Sequence, residues 1–204
     1  NGVEMGLLSI TTLGMGYFGA HALSGHQIAM QYTDFSVMIA AGIGQAASIM
    51  VSKAIGAKNP AQIKEAINAA LLLAVGFGVV MAALIALFST AWINLFFGHA
   101  PHIAARHMAH QFLRVAIAIV MLDAIQFCTQ QILRAMKDTT ALLIMGVGTY
   151  WVVGLGAALG LAFKTPLGPL GFWIGLMAGM GTAAVLLVCR LIYKLRQHPV
   201  SAQG

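Results

Sequence analysis

A succession of long apolar runs is the feature that most constrains this chain, because few folds can accommodate it. Hydrophobic residues make up 60% of the 204 positions and charged residues only 8%, whereas a soluble domain carries about 25% charged residues. So few charges cannot cover a water-exposed surface. The sequence therefore predicts a polytopic α-helical membrane protein, with the lipid bilayer as its solvent.

Six of these runs are long enough to cross a bilayer, for which about 20 mostly apolar residues are needed. They extend from the start of the chain to about Phe18, and over about 22–55, 66–97, 108–136, 140–163 and 170–195. All five prolines lie between these runs or after the last one, as expected for a residue that breaks helices. We predict an all-α bundle of six transmembrane helices, the first of which is truncated at its start.

The basic residues are divided unequally between the two sides of this predicted bundle. Eight lie on one side, namely Lys53, Lys58, Lys64, Arg134, Lys137, Arg190, Lys194 and Arg196, and three on the other, namely Arg106, Arg114 and Lys164. Positive residues accumulate on the cytoplasmic side of membrane proteins, so the C-terminus is predicted to be cytoplasmic. The net charge of +6 therefore reflects topology. No basic stripe with interleaved aromatic residues indicates nucleic-acid binding.

Motifs typical of enzymes are absent from the sequence. No HExxH, GxSxG or Walker-type loop occurs. Residues 14–19 match GxGxxG, but that fingerprint binds dinucleotides only between a strand and a helix, and here it ends a predicted membrane helix. We interpret these glycines as turn and packing residues, and we predict that the protein is not an enzyme.

Carboxylates within the apolar runs are the strongest indication of function. Only five acidic residues occur, and Glu4, Asp34 and Asp123 lie inside predicted membrane helices. One carboxylate at the bilayer centre costs about 2.5–3.5 kcal/mol on insertion scales, so such residues usually face a cavity and bind something. Asp123 precedes Arg134 by eleven residues, about 16 Å of helix. Glu4 precedes the turn at Gly19 by fifteen residues, so both acids are predicted to be deep.

Amide side chains share a helix face with two of these acids. Those on the face of Asp123 are Gln126 and Gln130, and those on the face of Asp34 are Gln27, Gln31 and Gln45. A polar stripe on an otherwise apolar helix indicates a water-filled cavity.

Buried carboxylates of this kind can act in two ways. Burial disfavours the charged form, so a proton can be bound and released near neutral pH. Alternatively, several oxygens can replace the water shell of a hard cation. We predict a coupling-ion site at Glu4, Asp123 and Asp34, with Glu4 and Asp123 as metal ligands if the ion is Na⁺. The residues leave the choice between Na⁺ and H⁺ open, and no other cofactor is predicted.

Small residues recur at spacings that permit close helix packing. They are Gly171, Gly175 and Gly179 in the last run, and Gly154, Gly156 and Gly160 in the fifth. We expect both sets to lie in contacts between helices.

Seven short motifs follow one another along nearly the whole chain. They are GYFGAHALSGHQIA at 16–29, GIGQAAS at 42–48, VSKAIG at 51–56, LDAIQ at 122–126, LRAMKD at 133–138, YWVVGL at 150–155 and PLGFWIG at 169–175. Together they resemble the C-terminal lobe of multidrug and toxic compound extrusion (MATE) transporters. The last two are similar to the NorM-like branch in particular.

This resemblance implies twelve helices in two six-helix lobes, of which residues 1–204 would form the second, helices seven to twelve. The N-terminal lobe would then be a missing partner. The resemblance also implies export of cationic amphipathic drugs across the bacterial inner membrane in exchange for Na⁺ or H⁺. The family's acidic positions in helices seven and ten fall on Glu4 and Asp123. We expect the substrate cavity to be lined by Gln27, Gln31, Gln126, Gln130 and Tyr150.

Two departures and two alternatives accompany the resemblance. Ala40 stands where the family often has a proline, which puts a kink there in question, and Asp34 stands where an uncharged residue is expected. A lipid-linked saccharide flippase of related architecture would need cationic groups in its cavity, and Arg114 is the lone one among carboxylates and glutamines. A non-transporting assembly subunit would not need deep acids.

Overall fold

The computed structural model describes residues 2–98 and 103–197, with the side chains of residues 2–5, 7, 8 and 197 outside this description. Within these residues the chain forms six helical rods and no strand. They are α1 (Gly2–Tyr17), α2 (Ala20–Gly56), α3 (Pro60–Phe97), α4 (Ile103–Ala135), α5 (Thr139–Lys164) and α6 (Pro169–Gln197). The all-α prediction is confirmed, and the five rods α2 to α6 are long and apolar enough to span a membrane.

Two of the prolines between the predicted apolar runs begin helices. The first residue of α3 is Pro60, and the first residue of α6 is Pro169, so these two prolines do not lie in connectors. Proline is tolerated at a helix start because the first backbone N–H groups have no partner within the helix. At α3 the Asn59 side chain accepts hydrogen bonds from the backbone N–H groups of Ala61 and Gln62, at 3.1 and 3.3 Å. This cap lets α3 begin six residues before its apolar run.

The turn after α1 is the place where the GxGxxG match ends. Gly19 has φ 101°, a backbone conformation that L side chains rarely adopt. It separates α1 from α2, so the interpretation of this glycine as a turn residue is confirmed. The α2 helix then continues without a break through Ala40.

Glycines let the neighbouring helices approach α4, the central helix of the bundle. A Cβ atom placed on Gly25 of α2 would lie 2.9 Å from the backbone nitrogen of Ala109. One placed on Gly78 of α3 would lie 3.2 Å from the Cα atom of Met121. Because α2 and α3 pack so closely on α4, its middle turns are largely buried.

Three glycines of α6 pack directly against the backbone of α5, as predicted: Gly171, Gly175 and Gly179. A Cβ atom on Gly171 would lie 2.5 Å from the backbone nitrogen of Ala162, and one on Gly179 would lie 2.7 Å from the Cα atom of Gly154. One on Gly175 would overlap the backbone of Ala158.

On α5 the prediction is wrong for two of its three glycines. Nothing lies within 4 Å of a Cβ atom placed on Gly156 or Gly160. The surface that meets α6 consists instead of Gly154, Ala158 and Ala162, spaced four residues apart. Alanine is small enough for this role, because small residues in general permit close helix packing.

A π-helical segment interrupts α5 near its middle. The helix is α-helical over Thr139–Val147, π-helical over Gly148–Gly154 and α-helical again over Leu155–Lys164. The Thr149 hydroxyl donates a hydrogen bond to the Met145 carbonyl at 2.7 Å. Such segments widen the helix and occur frequently at functional sites, and this one carries Tyr150.

Four helices converge at one end of the bundle. A single cluster of buried apolar residues there includes Val51 of α2, Ile67 of α3, Ile132 of α4 and Leu191 of α6. The connectors α2–α3 and α4–α5 and the end of α6 therefore lie together. These are the regions that carry the eight basic residues, so the prediction that they share one side of the bundle is confirmed.

Asp138 ties this end of the bundle together. Its carboxylate accepts a hydrogen bond from Arg190 Nε at 2.9 Å and lies 3.4 Å from Lys194 Nζ. Lys194 also donates to the Met136 carbonyl at 3.0 Å. The hydrogen bond from Arg190 is the main reason that the pKa of Asp138 is lowered from its ordinary value. Asp138 is thus an ionised group that joins the start of α5 to α6.

Candidate functional site

Asp123 lies in the interior of the bundle, near the middle of α4. Its side chain is 4% exposed. The neighbouring turns are covered on several sides, because Leu122 faces Gly181 of α6 and Ala124 faces Gly78 of α3. Twelve residues, about 18 Å of helix, separate Asp123 from the end of α4 at Ala135. The acid is therefore enclosed by neighbouring helices and lies far from the end of α4.

Gln126 connects this part of α4 to α5. Its side-chain nitrogen donates a hydrogen bond to the Tyr150 hydroxyl, and the two residues are 1% and 3% exposed. The Gln126 Oε1 atom is also buried, and it has no hydrogen-bond partner among the described residues. A buried acceptor without a hydrogen bond costs about 1–3 kcal/mol. A small polar or charged ligand that bound this oxygen would remove that cost.

Gln130 lies one turn further along α4 and is half-buried. It follows Gln126 by four residues and Asp123 by seven, so the three side chains project from neighbouring turns of one helix face. This face becomes more open towards Gln130 than it is at Asp123. The polar stripe that the sequence predicts on this helix is thus buried at one end and accessible at the other.

A second polar stripe runs along α2, and here the side chains are exposed. They are Ser24, Gln27, Gln31, Asp34 and Gln45, whose spacing follows one face of the helix. The opposite face is buried, with Ala29, Ala40 and Ala47 among its residues. Exposed amides and a carboxylate are costly beside lipid, so this face of α2 is suited to a water-filled cavity or to another protein surface.

Glu4 lies on α1, but its side chain belongs to the part of the chain outside the structural description. Its predicted role in an ion site therefore stays a prediction. Among the described residues, no group of three or more His, Cys, Asp or Glu side chains could hold a metal ion. The other two acids of the predicted ion site lie in different environments, because Asp34 is exposed on α2 and Asp123 is enclosed on α4.

A buried histidine of α2 is not among the residues that the sequence predicts for the site. His26 of α2 is 0% exposed, and its Nε2 atom lies 3.1 Å from the Thr12 hydroxyl of α1. Its ring meets the Trp173 ring of α6 edge to face at 5.7 Å, and Trp173 stacks on Phe112 of α4. The one sequence signal that could have identified His26 was the presence of a histidine inside an apolar run. The cluster joins four helices, which periodicity along a single helix cannot reveal.

Comparison with known proteins places these features in context. The MatE family profile matches residues 2–159. The chain is 32% identical over 196 residues to the probable multidrug resistance protein NorM of Rhizobium meliloti, covering 95% of this chain and 42% of that protein. It is 35% identical over 189 residues to the protein of the same description from Bradyrhizobium diazoefficiens, covering 92% and 41%. The chain thus spans about two-fifths of the length of these relatives.

Solved structures share the fold. An outward-facing multidrug resistance MATE family transporter of the MOP superfamily superposes with a TM-score of 0.83 at 20% identity, covering 96% of this chain and 43% of that one. An inward-facing structure of the same description gives a TM-score of 0.81 at 21% identity, covering 97% and 45%. At this level of identity the likeness establishes the arrangement of the helices.

Proposed function

Because this chain belongs to the MatE family and is a multi-pass membrane protein, we propose that it forms the C-terminal six-helix lobe of a twelve-helix multidrug exporter. The observation that carries the proposal is the enclosed carboxylate of Asp123 at the middle of α4. A carboxylate within a membrane helix is costly in a bilayer, and such residues are usually functional. The N-terminal lobe would be the partner of this chain, and cationic amphipathic drugs would be the substrates.

Coupling would arise from competition between the ion and the drug. A cation, Na⁺ or H⁺, binds Asp123 and Glu4 from outside and favours release of the drug outward. A drug bound from inside then favours release of the cation inward. Each ligand must prefer the opposite state, since a ligand with equal affinity for both states shifts nothing. The burial of Asp123 supports this role, because an enclosed carboxylate responds strongly to a bound cation.

The exposed stripe of α2 is the wall we propose for the drug cavity. Gln27, Gln31 and Asp34 lie on the open side of this helix, where amide groups and one carboxylate can contact a cationic ligand. Asp34 is the member that can attract positive charge directly. Its exposure supports a contribution to substrate attraction.

The energetics set a limit on such an exporter. Exchange of one cation for one monovalent cationic drug moves no net charge, so a tenfold ion gradient supports a tenfold drug gradient, about 1.4 kcal/mol. Exchange of two cations for one drug would add about 2.3 kcal/mol per 100 mV of membrane potential. More than one carboxylate in the proposed site is compatible with the second stoichiometry.

Dye efflux tests the proposed function directly. The full-length transporter that contains this lobe, reconstituted in vesicles loaded with a cationic fluorescent dye, is expected to expel the dye when a Na⁺ gradient or a pH gradient is imposed. An anionic dye of similar size serves as the control. Lack of response of the cationic dye to both gradients would refute the assignment as a cation-coupled exporter.

The alternative functions find less support. Arg114 is exposed on α4, and a flippase for lipid-linked saccharides would use such a cation to bind a pyrophosphate. The buried polar side chains of α4, however, include a carboxylate and an amide, at Asp123 and Gln126, which suit a cation instead. An assembly subunit would have no use for the buried acid, and an intramembrane enzyme would require a nucleophile with a base.

We propose that the end of the bundle that carries Asp138 faces the cytoplasm, because eight of the eleven basic residues lie there. In cells expressing the full-length protein without Cys128 and Cys189, a cysteine at Lys164 is expected to react with an impermeant maleimide from outside. A cysteine at Lys58 is expected to react only after the cells are opened. Both positions are exposed, so reaction of position 58 in intact cells would reverse the proposed orientation.

A further inference from the structure

We infer that the Gln126 side-chain oxygen is a ligand of the cation that binds at Asp123, and that Tyr150 orients it from the π-helical segment of α5. This inference rests on the proposed function, because it assumes a coupling ion at Asp123. It adds a second oxygen to that site, and it assigns the π-helical segment a part in ion recognition.

The Gln126 amide is only partly satisfied by hydrogen bonds. Its Oε1 atom is buried and has no hydrogen-bond partner among the described residues. Buried acceptors are nearly always satisfied in folded proteins. A small ligand would satisfy this oxygen, and a cation is well matched to it, because hard cations take carboxylate and amide oxygens as ligands.

Gln126 and Asp123 lie on neighbouring turns of the same helix. Gln126 follows Asp123 by three residues on α4, so the two Cβ atoms are about 5–6 Å apart on one helix face. Both side chains are enclosed, at 1% and 4% exposure. A cation between them can contact one carboxylate oxygen and the amide oxygen at the same time.

Tyr150 fixes the other end of the Gln126 amide. The Gln126 amide has one donor end and one acceptor end, and the donor end is held by the Tyr150 hydroxyl. With its nitrogen fixed in this way, the amide keeps its oxygen available to a cation. Tyr150 is therefore a positioning residue, and it lies within the Gly148–Gly154 π-helical segment. A change in that segment would turn the Gln126 oxygen towards or away from Asp123.

This assignment revises the expectation that Gln126 and Tyr150 line the drug cavity. Both side chains are almost completely buried, whereas Gln31 on α2 is exposed. A large amphipathic drug could not contact them without separating α4 from α5. A desolvated cation is small enough to enter such a space.

The amide oxygen also affects the choice of ion. A proton needs only the Asp123 carboxylate, whereas Na⁺ needs several oxygens in place of its water shell. Loss of the Gln126 oxygen should therefore weaken binding of Na⁺ and leave proton binding at Asp123 in place. If Gln126 had only a structural role, its replacement would not change the preference of the site for Na⁺ over H⁺.

Na⁺ binding to the purified full-length transporter tests the inference, with radioactive Na⁺ as the probe and choline as the inert replacement cation. Gln126→Met keeps the length of the side chain and removes its oxygen, and it is expected to weaken Na⁺ affinity by about tenfold or more. Tyr150→Phe keeps the ring and frees the amide, and a smaller loss is expected. Gln131→Met is the matched control, because Gln131 is a buried amide of α4 that faces Gly44 of α2.

Several outcomes separate this inference from the function on which it rests. Wild-type Na⁺ affinity in both Gln126→Met and Tyr150→Phe would overturn the inference, as would failure of the wild-type protein to bind Na⁺ while a pH gradient still drives efflux. Should Gln126→Met fail to fold, Tyr150→Phe decides alone. Absence of dye efflux by the wild type under both gradients would instead refute the proposed function. Weakened Na⁺ binding with retained proton-driven efflux in Gln126→Met would support the inference.

Discussion

Ion-driven drug efflux is expected to fall to background in an Asp123→Asn variant of the full-length transporter, while the variant still folds and inserts. The substitution keeps the shape of the side chain and removes the charge that would hold a cation. Asp123 is 4% exposed, so a carboxylate on the surface of the bundle cannot hold the cation in its place. Insertion should survive, because the removed carboxylate costs about 2.5–3.5 kcal/mol at the bilayer centre.

The measurement is efflux of a cationic dye from vesicles after a Na⁺ gradient and, separately, a pH gradient, with equal amounts of protein. Glu4→Gln is expected to give the same loss, and Asp34→Asn a milder one, because Asp34 lies on the exposed side of α2. Normal efflux in both Asp123→Asn and Glu4→Gln would remove the proposed ion site. Loss of pH-driven efflux alone would identify the ion as H⁺.

Glu65→Gln is the appropriate control for these variants. Glu65 is exposed near the start of α3, outside the proposed site. Asp138 is less suitable, although it also lies outside the proposed site. Its carboxylate binds Arg190 and Lys194, so Asp138→Asn would loosen the packing of α5 on α6 and confuse a structural effect with a functional one.

A Gly175→Val variant is expected to lose the packing of α6 on α5 and to give little monodisperse protein after solubilisation. A Cβ atom at this position would overlap the backbone of Ala158. Overpacking a well-filled core costs about 1–3 kcal/mol and occasionally more. The upper end is expected here, because a backbone cannot move aside as a flexible side chain can. The measurements are the size-exclusion profile and the apparent melting temperature.

Gly156→Val provides the matched control. Gly156 lies on α5, is exposed, and has nothing within 4 Å of a Cβ atom placed there. The same substitution at this position is therefore expected to leave the elution profile and the melting temperature close to wild type. Equal behaviour of the two variants, whether both fold or both fail, would contradict the assignment of Gly175 to a backbone contact.

Hydropathy along the chain was sufficient to predict the helices and the position of Asp123 far from the end of its helix. A membrane helix must satisfy its backbone hydrogen bonds internally, so the length and apolarity of a run nearly determine its secondary structure. The position of Asp123 follows from counting residues at 1.5 Å each from the end of the run. Neither inference requires knowledge of any other helix. For the same reason, the eight basic residues could be assigned to one end of the bundle before their neighbours were known.

The contacts between helices were decided only by the tertiary structure. The sequence shows that Gly154, Gly156 and Gly160 are small, but it does not show which of them meet α6. The contact uses Gly154 together with Ala158 and Ala162.

The same holds for the candidate site. The sequence identifies polar stripes on α2 and α4, but the structure decides that Asp34 is exposed and that Gln126 is enclosed with a hydrogen bond to Tyr150. The amide and the hydroxyl are 24 residues apart in the chain. Whether such groups meet depends on the rotation of each helix about its axis, which is set by the packing of side chains from several helices together.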